Sequence, residues 1–350
     1  MSAPTDSFAC HAATFYNSDV RNTNENCMTP AVSRNCPVCD SGEAVEYLKK
    51  GDLRLVHCSR CSMIYANPVP ARFATGEYYD REGADYYLSP AKLESDYASV
   101  RFERELGLFR KYCVGGQVLD VGCSSGAFLH HLKSRFPADY EVLGTDVSGA
   151  PLDYAEAHGI PVVRGNFLEL DFGERRFDAI TLWAVAEHLA APKRFMKRAV
   201  SLLKPQGVCF VLVPNMNSLA VRLLGGHYRY IYEQHLNYFT RETLRKMVEP
   251  WFFPVEIRSM HFNPIVIWQD WRGGGREVSN QERGELLKRT TAYKQNPLLK
   301  PVKLAYRVAE TALGSLNLAD NLVVVVRKGP AQPAGTAQNS GDELRKVPVP

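Results

Sequence analysis

From Gly116 to Lys328 the chain alternates short apolar runs with stretches whose apolar residues recur at helical spacing. Val118–Val121, Glu141–Asp146, Ile160–Arg164, Phe177–Trp183 and Cys209–Val213 are brief and rich in β-branched or aromatic residues, and most are bounded by Gly, Asp or Pro. Such runs predict strands. Between them Phe128–Arg135, Ala150–Ala157 and Pro192–Leu203 predict helices, the last stopped by Lys204-Pro-Gln-Gly207. Val255–Met260 and Asn321–Arg327 predict two further strands. Strand–helix alternation at this spacing implies an α/β fold, a doubly wound and mostly parallel sheet with helices on both faces. No internal repeat is visible.

The flanks lose this pattern. Residues 1–33 are polar, rich in Asn, Ser and Thr and without periodicity, which predicts a disordered N-terminal segment. Residues 329–350 have the same character and predict a disordered tail. Residues 34–70 form a short cysteine-bearing module, and 71–115 a Tyr-rich linker followed by a long helix from about Pro90 to Tyr112. Within the 116–328 domain, residues 214–240 read as a cap: a helix at Ala220–Leu224, an aromatic loop, then a further helix capped by Thr240. Residues 263–320 read as an insertion holding Trp268, Trp271 and Arg272-Gly-Gly-Gly275, then helices around Asn280–Thr291 and Leu298–Leu313. Those helices mix apolar and basic residues. They suit a substrate lid, a homodimer surface or a membrane-surface contact, with a lid or packing role as the default.

The 350 residues suffice for about two domains. With 45% hydrophobic and 23% charged residues, wholesale disorder and low-complexity architectures are excluded. Lys and Arg number 42 against 38 Asp and Glu, a net charge of +4 that is too mild to argue for a nucleic-acid partner. No run approaches the roughly 18 apolar residues of a transmembrane helix. The N-terminus lacks the basic-then-apolar order of a secretory signal. A soluble, cytoplasmic protein is the expectation, and its nine cysteines then point to metal binding or catalysis and not to disulfides.

Four of those cysteines form a pattern. Cys36-Pro-Val-Cys39 and Cys58-Ser-Arg-Cys61 are two CxxC pairs with 18 residues between Cys39 and Cys58. This is the spacing of a zinc site, in which each turn folds two thiolates toward one tetrahedral ion. The segment between them reads as a hairpin, Ala44–Leu48 and Arg54–Val56 around Gly51-Asp52, that joins the two knuckles. Four thiolates fill the coordination sphere, so Zn2+ here would be structural and the module zinc-ribbon-like. Its basic residues (Arg34, Lys49, Lys50, Arg54, Arg60) are offset by Asp40, Glu43, Glu46 and Asp52, which favours a scaffold or substrate-side cap over a nucleic-acid grip.

A second chemistry lies where the first strand of the sheet turns into a helix. Asp120 precedes a loop running Gly122-Cys-Ser-Ser-Gly126, and Asp146 closes the second strand 20 residues after Gly126. Gly122 permits the tight turn and Gly126 lets the helix start close to a ligand. An acid at the end of the second strand can accept both hydroxyls of a ribose. A dinucleotide fold would show G-x-G-x-x-G for its pyrophosphate; an acid at the head of the loop suits a cationic amine or sulfonium instead.

Taken together, D-V-G-C-S-S-G, G-T-D-V-S, F-D-A-I-T-L-W-A-V-A-E-H-L and L-L-K-P-Q-G resemble the motifs of class I S-adenosylmethionine-dependent methyltransferases in order and spacing, over about Gly116–Val213. The resemblance implies a Rossmann-like fold. It implies that Asp120, Gly122 and Gly126 line the methionine side of S-adenosyl-L-methionine, that Asp146 holds the ribose, that Asn166 lies near the adenine, and that Trp183 lies close to the methionine moiety. Two positions depart from the family pattern: Ser124 replaces the middle glycine of the loop, and Asn166 replaces a frequent acid.

In the cap, I-Y-E-Q-H-L-N-Y-F-T is similar to a segment of zinc-containing sugar C-methyltransferases, and an H-x-x-x-F-T stretch is similar to quinone-type O-methyltransferases. The first resemblance implies that His235 serves as base with Tyr232 nearby, although Gln234 stands where those enzymes have Glu. A histidine titrating near neutrality suits proton removal, and His188, just after the fourth strand, is a second candidate. The expectation is a methyltransferase acting on a small-molecule acceptor, at a hydroxyl oxygen. The alternatives are C-methylation of a nucleotide-linked keto sugar, an RNA methyltransferase gripping its substrate through the zinc module, and a catalytically inactive scaffold.

Overall fold

The side chains along each strand alternate between two separate apolar cores, and this alternation decides the architecture. The computed structural model describes residues 31–74, 77–81, 83–276 and 278–328. The segments expected to be disordered lie outside these residues, except that Ala31–Val32 pairs antiparallel with Val69–Pro70. Strands β1 (Ala44–Lys50), β2 (Leu53–Cys58) and β3 (Ile64–Ala66) make the expected hairpin plus one strand. They are followed by β4 (Gly116–Val121), β5 (Tyr140–Asp146), β6 (Val162–Arg164), β7 (Phe177–Trp183), β8 (Leu203–Pro214), β9 (Asn237–Tyr238), β10 (Phe252–Met260) and β11 (Asn321–Lys328).

Seven strands form the main sheet in the order β10-β11-β8-β7-β4-β5-β6. Pairs β4–β5, β4–β7, β5–β6 and β7–β8 are parallel, and β11 runs antiparallel to both of its neighbours, so it alone is reversed. The α/β, mostly parallel architecture is as expected. Helices α1 (Pro90–Asp96), α2 (Glu103–Tyr112), α3 (Ala127–Arg135), α4 (Gly149–Ala157) and α5 (Pro192–Leu202) precede or link the strands. Val118, Ala179, Phe210 and Val325 pack with Leu106, Phe109 and Leu129 on one face. Leu119, Ile180, Val211 and Val324 pack on the other with Met196, Leu244 and the zinc-type module's Met63 and Tyr65.

Several boundaries differ from expectation for identifiable reasons. The long helix from Pro90 to Tyr112 is broken into α1 and α2. Phe102 adopts φ 59, and the turn brings Arg101 back onto the buried Asp96, 3.2 Å from Nε to Oδ1. The fifth strand of the sheet starts at Leu203 and not Cys209, with a register shift before Val208 that absorbs Pro205–Gly207. In the cap, α6 (Leu219–Leu224) starts at a Ser218 cap, and α7 (Arg241–Val248) at Thr240. The 263–320 insertion carries one helix more than expected, α8 (Pro264–Gly273), whose Asn263 cap and N1 proline are a start signal in the sequence. It is followed by α9 (Asn280–Gln295) and α10 (Lys300–Ser315). Among the described residues no helix is long and apolar enough to cross a membrane.

The most consequential feature is where β9 goes. It leaves the cap and pairs with β3, so the cysteine module's sheet reads β9-β3-β2-β1. Module and cap are one structural unit.

Candidate active site

The loop after β4 adopts the shape its residues require. Gly122, Ser124 and Gly126 all sit in the left-handed region, at φ 73, 50 and 75. A Cβ on Gly122 would lie 2.6 Å from a Val185 methyl, and one on Gly126 2.9 Å from Ala155 Cβ, so both glycines are required by space as well as by conformation. Ser124 holds the middle glycine's conformation without being glycine. The backbone N–H groups of Gly122 and Cys123 both donate to Thr145 O, at 2.7 and 3.1 Å, which ties this loop to the end of β5.

Both expected carboxylates converge on the loop. Asp146 Oδ2 accepts from Ser124 N at 2.8 Å and Oδ1 from Ser148 N at 3.0 Å, which leaves lone pairs on each oxygen for a diol. Burial pushes its pKa up, against those hydrogen bonds. Asp120 is buried, accepts a 2.6 Å hydrogen bond from Thr181 Oγ1, and is pushed up to about 7 by burial. A cation placed beside it would restore its charge.

Asn166 and Trp183 make contacts of their own within the protein. Asn166 Oδ1 accepts from Leu168 N at 3.1 Å and Nδ2 donates to Glu169 at 3.0 Å, so its side chain stabilises its own turn. The Trp183 ring packs on Phe128 and Phe210 with centroids 5.1 and 6.0 Å away, and Nε1 is a buried donor without a partner.

On the acceptor side, the structure brings His188, Tyr232 and His235 together. The His235 ring centroid lies 4.4 Å from that of Tyr232 and 4.8 Å from that of His188. His188 Nδ1 contacts Gln234 O at 2.8 Å; a carbonyl only accepts, so Nδ1 carries the hydrogen and Nε2 keeps its lone pair. His235 is 4% exposed and its Nδ1 is buried with no hydrogen-bond partner. Burial, with help from Arg283, lowers the pKa of His188 to about 4. Burial, then the neighbouring His188 and Arg283, holds His235 well below the usual imidazole range. Both rings are neutral at pH 7.

Four further residues belong to this chamber and were not found in the sequence. Tyr79 OH lies 2.7 Å from His188 Nδ1 and 3.3 Å from Gln234 O. Tyr87, half-buried, lies within electrostatic reach of both Tyr232 and Asp146, its phenol pushed well up by burial and then by these two groups. Both tyrosines come from the Tyr-rich linker, where no local spacing marks them. Glu187 precedes His188, has Oε2 buried without a partner, and is pushed up to about 8 by burial. Arg283, from α9, places its guanidinium 4.4 Å from the Tyr232 ring centre. Glu187, His188 and His235 each bring one ligand atom within 4.8 Å of the others, a donor set of two imidazoles and a carboxylate that could also hold a divalent cation.

The four cysteines converge as expected. Their sulfurs all lie within 4.8 Å of one another, with Cys36–Cys61 at 3.4 Å and Cys39–Cys58 at 3.5 Å. Tetrahedral Zn–S bonds set edges of about 3.8 Å, so these side chains fit a zinc ion. Two of the module's five cations turn inward, Arg34 donating to Ala66 O and Ala190 O and Lys50 Nζ to Ile231 O, while Lys49, Arg54 and Arg60 are exposed.

A family model described as a methyltransferase domain matches residues 98–250. The chain is 28% identical over 233 residues to a ubiquinone biosynthesis O-methyltransferase of Ruegeria pomeroyi, covering 58% of this chain and 87% of that one. It is 32% identical over 182 residues to the Proteus mirabilis protein of the same name, covering 47% of this chain and 69% of that one. A solved structure of a S-adenosylmethionine-dependent methyltransferase from Thermotoga maritima, described as a possible histamine N-methyltransferase, superposes with a TM-score of 0.46 at 15% identity, covering 72% of this chain and 99% of that one.

Proposed function

The chain belongs to the class I S-adenosylmethionine-dependent methyltransferases, and from that premise we propose that it methylates a hydroxyl oxygen of a small-molecule acceptor bound in the His188–His235 chamber, with His235 as the base. The observation that carries this reading is His235 Nδ1, buried, unpartnered and on a neutral ring. It can take the acceptor's proton while the oxygen attacks the sulfonium methyl in line. The name of the relatives, which specifies an O-methyltransferase, supports the oxygen. The cofactor would supply the electrophilic methyl. Asp146 would hold its ribose and Asp120 would face its positive end, while Tyr79 and Tyr87 shield the transfer from water. His188, oriented by Gln234 O, would position the acceptor beside His235. The four thiolates would hold structural zinc, which keeps the module and therefore β9 in place.

Methyl transfer from labelled S-adenosylmethionine to pooled phenols, catechols and sugars tests this, with the product identified by NMR. An O-methyl product lost in His235→Ala supports it; turnover unaffected by that substitution sinks the base assignment. A second reading rests on Tyr79 and Tyr232, whose phenols burial keeps protonated. Protonated phenols could donate hydrogen bonds to an enolate, as C-methylation of a keto sugar requires. Deuterium wash-in at the acceptor's α-carbon without cofactor would favour carbon. An RNA acceptor is disfavoured because Arg34 and Lys50 are engaged inside the cap, and the exposed Lys49, Arg54 and Arg60 share the module with Asp40, Glu43, Glu46 and Asp52.

A further inference from the structure

The acceptor chamber contains a guanidinium that no anion among the described residues pairs with. Arg283 stands one turn into α9, and its neighbours on that helix are paired: Glu282 with Arg276 at 2.6 Å and Lys288 with Glu94 at 2.7 Å. The Arg283 side chain makes no ion pair or hydrogen bond to any described residue; only its backbone N–H is engaged, donating to Ser279 O at 3.0 Å. Its guanidinium lies over the Tyr232 ring at 4.4 Å, and Nε is buried without a partner. Stacking on a ring leaves the in-plane N–H fork unused. Its positive field reaches the chamber's working groups, since it lowers the pKa of both His188 and His235.

Arg283 is half-buried, with Nε shielded and unpartnered, so a ligand that brings a counter-charge would pair the unused fork. A planar fork of N–H donors is suited to a carboxylate or a phosphate, whose paired oxygens match it. We propose that Arg283 is the specificity-determining cation of this chamber and that the acceptor carries an anionic oxygen group, carboxylate or phosphate, bound by Arg283 while the methylated atom lies at His235. This rests on the reading of the chamber as the acceptor pocket. It also assigns a task to the 263–320 insertion, which supplies the residue that selects the acceptor. A neutral analogue would leave Arg283 unpaired and be rejected for that reason.

The test uses the full chain loaded with S-adenosylhomocysteine, titrated calorimetrically with benzoate, benzamide, inorganic phosphate and pyrophosphate. The expected result is binding of at least one anion and none of benzamide; whichever of the carboxylate and phosphate arms binds tighter identifies the group. Arg283→Gln should weaken that anion about 10- to 100-fold, and Arg283→Lys, which keeps charge but not the fork, by an intermediate factor. No anion binding in the parent, benzamide equal to benzoate, or parent-like affinity in either Arg283 variant would each overturn the proposal. Affinity for S-adenosylhomocysteine in the same cells separates the two levels. If the parent does not bind it, the methyl-transfer reading itself fails; if it binds while the anions do not, only Arg283's role fails.

Discussion

Arg34 and Asn237, 203 positions apart, meet through a 3.0 Å hydrogen bond from Nη2 to Oδ1. The same guanidinium donates to Ala66 O at 3.1 Å, Ala190 O at 3.0 Å and Leu236 O, so one half-buried cation joins the cysteine module, the loop after β7 and the strand that follows His235. Asn237 answers from the other side: its Nδ2 donates to Ala186 O and Leu189 O, which flank Glu187 and His188. Through Asn237, Arg34 braces from behind the turn that carries His188 and the strand that follows His235.

Arg34→Met should therefore lower kcat by at least about tenfold, because alignment of base and methyl governs the rate. Cofactor affinity should stay within about twofold, since no Asp120 or Asp146 contact involves Arg34. Steady-state kinetics beside calorimetry checks this; a parallel loss of both would make Arg34 a support of the whole fold instead.

Metal removal should act along the same path. The chain is expected to carry zinc, read by elemental analysis, and Cys58→Ser to lose it together with several kcal/mol of module stability. Chelation should reduce turnover although no zinc ligand faces the acceptor, and added zinc should restore it. Full activity in a zinc-free sample would break the link between module and cap.

Asp146→Ala removes a carboxylate that accepts from Ser124 N and Ser148 N. Charged hydrogen bonds contribute about 1.5–3 kcal/mol each. The substitution should weaken S-adenosylmethionine about 10- to 100-fold or more, with β4–β5 pairing intact by circular dichroism. An unchanged affinity would remove the ribose assignment.

How much of this was legible beforehand follows from the range of each determinant. Gly122 and Gly126 were readable because only glycine suits a tight left-handed turn under Val185 and Ala155. The two CxxC pairs were readable because ligand spacing is local. Ser124 at φ 50 was not, since serine gives no hint of that conformation. The break between α1 and α2 depends on Arg101 closing onto Asp96, a tertiary contact that helical periodicity does not register. Tyr79, Tyr87 and Arg283 reach the chamber from the linker and the insertion, so nothing in their neighbours marks them. β9 is two residues long and owes its strand character to β3.

Asp120 gives a pH signature. Its folded-state pKa is raised to about 7 from 3.8, mainly by burial. The free protein therefore holds more protons than the unfolded chain between those values, and this group's contribution to stability falls as pH rises through that window. Cofactor binding should run the other way, because a cation favours the carboxylate. Affinity should rise with pH up to about 7, by at most about tenfold per unit, and then level off. Calorimetry in buffers of different ionisation enthalpy should show a proton released on binding near pH 6, and Asp120→Asn should abolish both effects.

His235 should control the rate without controlling the cofactor. Its ring is neutral because burial, then His188 and Arg283, keeps its pKa well below the ordinary value. A base already deprotonated gives no acid limb in kcat until the pH falls well below the ordinary imidazole range, unlike an exposed histidine, whose limb centres near 6.5. His235→Ala should lower kcat by about 10²- to 10⁴-fold, the usual worth of a positioned base, and leave calorimetric affinity for S-adenosylmethionine unchanged. Tyr79→Phe serves as the control: it keeps the ring edge against His188 but deletes the hydroxyl 2.7 Å from Nδ1. The loss there should be smaller, about tenfold, since His188 keeps its hydrogen bond to Gln234 O. A His235→Ala enzyme with parental kcat, or a parental acid limb centred near 6.5, would move the base to another group.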